Sequence, residues 1–153
     1  MGAVTDGSSA GPVPMRLDMT VSCDERFRPL LDQMVSRIID YVGYGGSDAT
    51  AVAGVVERAL GGARACMAGT PNASLDLRFV IWESEMEIRI GCRPSPGAAE
   101  RGAGRALDRV LREGGAGEDA PLDRIRQVMT RVEFGREDGL DVCTLAKALP
   151  GRG

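Results

Sequence analysis

The sequence predicts an α+β fold: a two-layer sandwich in which a mixed, mostly antiparallel sheet is covered on one face by three to four helices. Two kinds of apolar spacing alternate along the chain, a period of two that is typical of half-buried strands and a period near 3.6 that is typical of amphipathic helices. Their order is strand, helix, helix, hairpin, helix, hairpin, which favours helices on one face of an antiparallel sheet. The 153 residues, 43% of them hydrophobic, suffice for one such domain.

The first strand and the first helix are predicted between residues 15 and 42. The segment MRLDMTV, residues 15–21, alternates apolar and polar side chains as a strand does. Ser22 and Glu25 have the spacing of a capping box, which predicts a helix from about Asp24 to Val42, ended by the sequence GYGGSD. The apolar stripe predicted for this helix is Phe27, Leu31, Met34, Ile38 and Tyr41, widened by Leu30, Val35 and Val42.

A second helix and a hairpin are predicted to follow. Ser47 or Asp48 is the expected cap of a helix from about Ala49 to Ala68. Apolar and polar side chains alternate in residues 75–81 and again in residues 86–92, with the polar sequence ESE between them, which predicts two paired strands. The residues predicted to face inward from this helix are Val52, Val55, Val56, Ala59, Leu60, Ala63 and Met67.

The remaining chain is less regular. Residues 93–120 are rich in glycine and proline around one short predicted helix, Ala98 to Arg112, and we interpret this segment as lid-like. Pro121 is predicted to begin a helix through about Arg131, and a hairpin with its turn at GREDG follows. The predicted domain therefore spans residues 15–149, between a disordered tail at 1–14 and a short tail at 150–153.

Composition excludes several classes of function. The net charge of −3 argues against binding to nucleic acid. Histidine is absent and the four cysteines have no C-x-x-C spacing, so we expect no metal site and no histidine-dependent nucleophile. Apolar runs fall short of the ~20 residues that span a bilayer, and residues 1–14 do not have the pattern of a signal peptide. The sequence therefore predicts a cytoplasmic protein with no membrane association.

The closing sequence PLDRIRQVMTRVEFGREDGLDVCTLAKAL and the order of elements resemble the GHKL-type (histidine-kinase-like) ATPase domain, nearest to the bacterial anti-sigma-factor serine kinases. The resemblance covers Met15 to about Leu149. It implies that Glu57 occupies the position of the carboxylate that activates the attacking hydroxyl, four residues before an asparagine that holds Mg²⁺ against ATP. Arg64 falls where the family commonly has a basic residue.

Three departures from the family pattern predict a degenerate nucleotide site. Gly61 stands at the asparagine position and offers no oxygen to a metal. Cys92 stands where an aspartate of the family would bind adenine. The family's aspartate is followed by glycines that let the backbone approach the nucleotide, but here Pro94 and Pro96 stand near those positions and only Gly97 is a glycine. Pro121 begins the helix whose amides would face phosphate, although Gly114, Gly115 and Gly117 lie upstream.

The resemblance therefore implies a bacterial regulatory domain that acts by protein contact, with ATP binding lost and no cofactor expected. Expected partners are a sigma factor, an anti-sigma antagonist, a kinase-like subunit or a second copy of the chain, because the family's first strand and helices form such surfaces. On this interpretation Glu57 is vestigial, or simply a solvated carboxylate near Arg64, and Gly61 and Gly62 allow close packing or bend the helix.

Two alternatives stay open. The first is a divergent Mg-ATP-dependent serine/threonine protein kinase, whose replacement ligands would come from Asp108, Glu113, Asp119 or Asp123. The second is a domain that binds an apolar molecule in the former nucleotide cavity, lined by Cys66 and Cys92.

Overall fold

The computed structural model describes residues 15–93, 107–113 and 120–150. Five strands and four α-helices follow one another in the order strand, two helices, two strands, two helices, two strands. Their bounds are β1 Met15–Ser22, α1 Arg28–Val42, α2 Gly46–Cys66, β2 Ser74–Ile81, β3 Glu85–Arg93, α3 Leu107–Arg112, α4 Pro121–Val128, β4 Arg131–Glu137 and β5 Leu140–Ala148. None of these helices is both long enough and apolar enough to cross a bilayer.

The five strands form one sheet in the order β1-β2-β3-β5-β4, and all four pairings are antiparallel. β3 lies in the centre, while β1 and β4 form the two edges. Because side chains alternate between the faces of a strand, every second residue faces the helices. The predicted α+β two-layer sandwich is confirmed.

The helices cover one face of the sheet and enclose the core with it. Apolar residues of β2, β3 and β5 form the floor, and α2 contributes the largest number of buried residues above it. Every residue predicted to face inward from the second helix is buried: Val52, Val55, Val56, Ala59, Leu60, Ala63 and Met67.

The predicted apolar face of α1 is wrong in part. Leu31, Val35 and Ile39 are the buried residues of this helix, and they lie on one stripe at four-residue spacing. Phe27, Leu30 and Tyr41, which the prediction also placed inward, are exposed. α1 is apolar on more than one side, and only the side that carries Leu31, Val35 and Ile39 is fully buried.

Three predicted helix boundaries also change. The capping box does not form: Asp24, rather than Ser22, accepts a hydrogen bond from the N–H of Arg26, and a 3₁₀ turn over Glu25–Phe27 precedes α1. The start of α1 is set by Pro29, which is tolerated in the first turn because no N–H is needed there. The starts and ends of the other helices differ by a few residues: α2 runs from Gly46 to Cys66 after an N-cap at Gly45, and α4 ends at Val128.

Two polar contacts join the helix layer to β5. The hydroxyl of Tyr44, in the loop after α1, donates to the carbonyl oxygen of Ala148 at 2.6 Å, and burial raises the pKa of Tyr44 to about 12. The ammonium of Lys147 donates to the carbonyl oxygen of Val128 at 3.0 Å and so stabilises the C-terminal end of α4.

Candidate functional site

Glu57 and Gly61 lie on the outward side of α2. Their spacing of four residues places them on a single helix face, and both are exposed. Glu57 borders a small depression of roughly 40 Å³ together with Asp32 and Ser36 of α1. A Cβ atom built on Gly61 would meet no atom within 4 Å, so this glycine faces open space.

Gly62 has a different surrounding, although it is the next residue. A Cβ atom built there would lie 2.5 Å from Cδ2 and 3.2 Å from Cγ of Leu111 in α3. Leu107 and Leu111 are both buried beside α2. The interpretation that this pair of glycines permits close packing therefore holds for Gly62 and not for Gly61.

Cys92 lies at the end of β3, in the hydrophobic core. Its Sγ is 3.9 Å from the carbonyl oxygen of Ala63, and Cys66 and Cys92 are each only 2% exposed. A hydrogen bond between the Cys66 and Cys92 thiols, together with burial, raises the pKa of Cys92 far above its usual range. At neutral pH Cys92 is therefore a neutral, packed thiol.

The other predicted site residues are scattered. Asp108 borders a cavity of roughly 250 Å³ between α3 and β4–β5, Glu113 follows α3, and Asp123 is exposed on α4. Pro121 is the first residue of α4, as predicted. Gly97 and Asp119 lie outside the described residues, as do residues 1–14, residues 151–153 and most of the lid-like segment. Within the described ranges no three acidic or cysteine side chains are grouped to hold a metal ion.

An apolar groove runs between the edge strand β1 and α1. It has a volume of roughly 840 Å³, and apolar side chains from β1, β2 and α1 form most of its wall. Exposed fractions of 45% for Met15, 41% for Leu17 and 74% for Tyr41 are high for side chains of this type. The residues that line the groove are Met15, Arg16, Leu17, Arg37, Ile38, Asp40, Tyr41, Phe79 and Ile81.

The sequence analysis did not predict this groove, because the apolar residues that line it have the spacing of core residues. Met15, Leu17, Ile38 and Tyr41 all fall on predicted inward stripes. One feature of the sequence could have predicted the groove: α1 carries more apolar residues than a single buried helix face can hold. Among the described strands β1 pairs only with β2, so its outer backbone groups are also available for hydrogen bonds.

The face of the sheet away from the helices carries ion pairs. Asp18 of β1 accepts from Arg78 of β2 at 2.8 Å, which lowers the pKa of Asp18. Asp76 accepts from Arg93 at 2.9 Å, and this contact lowers the pKa of Asp76. Arg89, directly opposite Arg78 on the neighbouring strand β3, pairs with Glu137 of β4. Positive and negative charges therefore offset one another on this face, whereas the wall of the groove beside β1 is mostly apolar.

The sequence matches no protein-family profile, and no curated protein matches it with significant similarity.

Proposed function

We propose that this domain is a bacterial regulatory protein that resembles an anti-sigma-factor kinase, has lost ATP binding, and acts by protein contact through the edge formed by β1 and α1. The observation that carries the proposal is the exposed apolar groove beside an edge strand. Apolar area stabilises an association by about 25 cal/mol for each Å² removed from water. An unpaired strand edge adds backbone hydrogen bonds to a partner strand.

The pattern of β1 favours a second copy of the chain as one occupant of this edge. In an antiparallel pairing centred on Leu17, Arg16 of each copy lies opposite Asp18 of the other. The same register places Met15 opposite Met19 on the apolar face. In this register each charged side chain faces an opposite charge and each apolar side chain faces an apolar one, so the contact is self-complementary and two-fold symmetric.

Loss of nucleotide binding is supported by the positions that the resemblance assigns to ATP. Gly61 faces open space without a side-chain oxygen, and Cys92 is a buried neutral thiol. Further partners consistent with this function are a sigma factor, an anti-sigma antagonist or a kinase-like subunit. A regulator of this kind would work in the cytoplasm without a cofactor.

The contact is tested by Leu17→Glu, with Trp82→Glu as the matched control. Trp82, in the turn between β2 and β3, is 46% exposed, close to the value for Leu17, but it lies outside the groove. In a self-paired edge, Leu17→Glu places two negative charges opposite each other, so we expect the dimer to dissociate. Light scattering over a range of concentrations measures the dimer fraction, and capture of candidate partners measures the other contacts.

Dissociation in Leu17→Glu but not in Trp82→Glu supports the proposal. Equal behaviour of both variants in self-association and in partner capture would refute a role for this edge. A wild-type chain that is monomeric at every concentration would remove the second copy as its occupant.

Thermal unfolding with Mg-ATP and with ADP distinguishes the proposed function from the alternative, an active protein kinase. A ligand at ~100 times its dissociation constant adds about 2.7 kcal/mol to the free energy of unfolding, which raises the melting temperature by several degrees. We expect no such rise. A clear rise, accompanied by transfer of phosphate to a serine of a partner, would establish the kinase instead.

A further inference from the structure

A second cavity, of roughly 460 Å³, lies between α2 and α4. The α2 residues that line it are spaced by three or four and so form one stripe along three turns of that helix. α4 contributes Arg124, which faces this stripe. The full lining is Ser47, Thr50, Ala51, Gly54, Val55, Arg58 and Arg124.

Two arginines, Arg58 of α2 and Arg124 of α4, line this cavity without an acidic partner among the described residues. Arg124 donates to the neutral side chain of Gln127 at 3.0 Å, and Arg58 makes no ion pair within the described ranges. By contrast, the arginines on the sheet are matched with carboxylates, as Arg78 is with Asp18. No carboxylate is among the described residues that line the cavity.

The floor of the cavity is kept open by a glycine in a helix interior. A Cβ atom built on Gly54 would meet nothing within 4 Å, so no neighbour in the described structure requires glycine there. Glycine in a helix interior is unfavourable by roughly 1 kcal/mol relative to alanine. Gly54, Ala51 and Val55 together form a shallow, largely apolar floor that extends from Arg58 towards Ser47.

We propose that this cavity binds a small organic phosphate monoester. The phosphate lies between Arg58 and Arg124, because its oxygens accept hydrogen bonds from two guanidinium forks at once. The organic part lies on the floor of Ala51, Gly54 and Val55, with the hydroxyl of Ser47 at the far end. The Thr50 hydroxyl already donates to the carbonyl oxygen of Gly46 at 3.3 Å, so it serves the ligand as an acceptor. A volume of roughly 460 Å³ is within the range of small-molecule sites.

The experiment is a calorimetric titration of the full chain with phenyl phosphate and with inorganic phosphate, at constant ionic strength. Arg58→Ala and Arg124→Ala are expected to weaken binding of both ligands by about tenfold or more, because each removes a charge-assisted hydrogen bond. Arg126→Ala is the matched control, since Arg126 is exposed on the same helix as Arg124 but does not line the cavity. It should leave the affinity unchanged.

A second pair of variants tests the floor. Gly54→Leu fills the space beside the organic part, and we expect it to remove the preference for phenyl phosphate over inorganic phosphate. Gly61→Leu places the same side chain on the open side of the same helix and should preserve that preference. Circular dichroism of each variant confirms that it is folded.

Several results would overturn the proposal. They are no heat of binding up to about 10 mM phenyl phosphate, equal affinities in Arg58→Ala, Arg124→Ala and Arg126→Ala, or equal effects of the two glycine substitutions. Repeating the thermal unfolding with Mg-ATP on Arg58→Ala separates this site from a working kinase site. A nucleotide effect that disappears in this variant, without phosphate transfer, belongs to the cavity between α2 and α4.

Discussion

Replacement of the two adjacent glycines of α2 by alanine gives the sharpest test of how α3 packs. At Gly61 the added methyl group enters open space, so only the difference in helix propensity acts. That difference stabilises the folded chain by about 0.5–1 kcal/mol. Gly61→Ala is therefore expected to raise the free energy of unfolding.

Gly62→Ala brings the same gain in propensity but meets Leu111. Its methyl group would lie 2.5 Å from Cδ2 of Leu111, and that side chain is fully buried, so it cannot turn into solvent. Overpacking of this kind costs about 1–3 kcal/mol. The net expectation is a loss of about 0–2.5 kcal/mol, which places the two variants about 1–3 kcal/mol apart.

Urea unfolding followed by circular dichroism measures both free energies. The decisive comparison repeats Gly62→Ala in a Leu111→Ala background, where the overlap is gone and the substitution should stabilise as much as Gly61→Ala does. If Gly62→Ala is as stabilising as Gly61→Ala in the otherwise unchanged chain, then Leu111 does not occupy the space above Gly62 and the described packing of α3 is refuted.

Two further predictions concern pH and the link between the layers. The folded-state pKa of Asp76 is lowered by Arg93, so this ion pair stabilises the fold above about pH 4, and its contribution is lost as pH falls through the lowered pKa. Asp76→Asn should therefore reduce the loss of stability at acid pH by less than about 1 kcal/mol. An unchanged dependence of stability on acid pH would contradict the assignment. The folded-state pKa of Tyr44 is raised to about 12, so its contribution is complete below pH 10 and is lost between about pH 10 and 12. Tyr44→Phe should cost about 1 kcal/mol at pH 7 through the lost hydrogen bond to Ala148, and a smaller difference from the unchanged chain at pH 11 is the check by urea unfolding.

The fold could be predicted where one pattern has one physical solution. The inward residues of α2 were predicted because a long helix with a single apolar side has only one face to bury. The last turn was predicted at the sequence GREDG, and within it Asp138 and Gly139 both adopt positive φ, 53° and 81°, which is the geometry that closes a two-residue hairpin. The strands extend closer to that turn than predicted, since β4 continues through Glu137.

The site was harder to predict, because its position depends on which faces find neighbours. The i, i+4 spacing placed Glu57 and Gly61 together, but spacing alone does not reveal that this side of α2 faces outward. For the same reason the prediction assigned some apolar residues of α1 to the wrong side of the helix: Tyr41 has the spacing of a core residue but is exposed at the surface. Gly62 and Gly61 are identical in sequence terms, and only the position of α3 distinguishes them.

The position of β1 in the sheet has a consequence for the order of assembly. β2–β3 and β4–β5 are hairpins whose strands are neighbours in the chain, so little loop-closure entropy opposes their pairing. β1 instead pairs with a strand that follows both α1 and α2, and this pairing closes a loop about as long as the one closed by β3 and β5. Contacts of such long range form late and raise the folding barrier. β1 differs from β3 and β5 in having only one neighbouring strand among the described residues. Because β1 lies at the edge of the sheet, we expect its amides to lose protection from hydrogen exchange before those of the central strands in the native state. The same edge that is proposed to receive a partner is thus the part of the sheet whose pairing a bound partner would protect from opening.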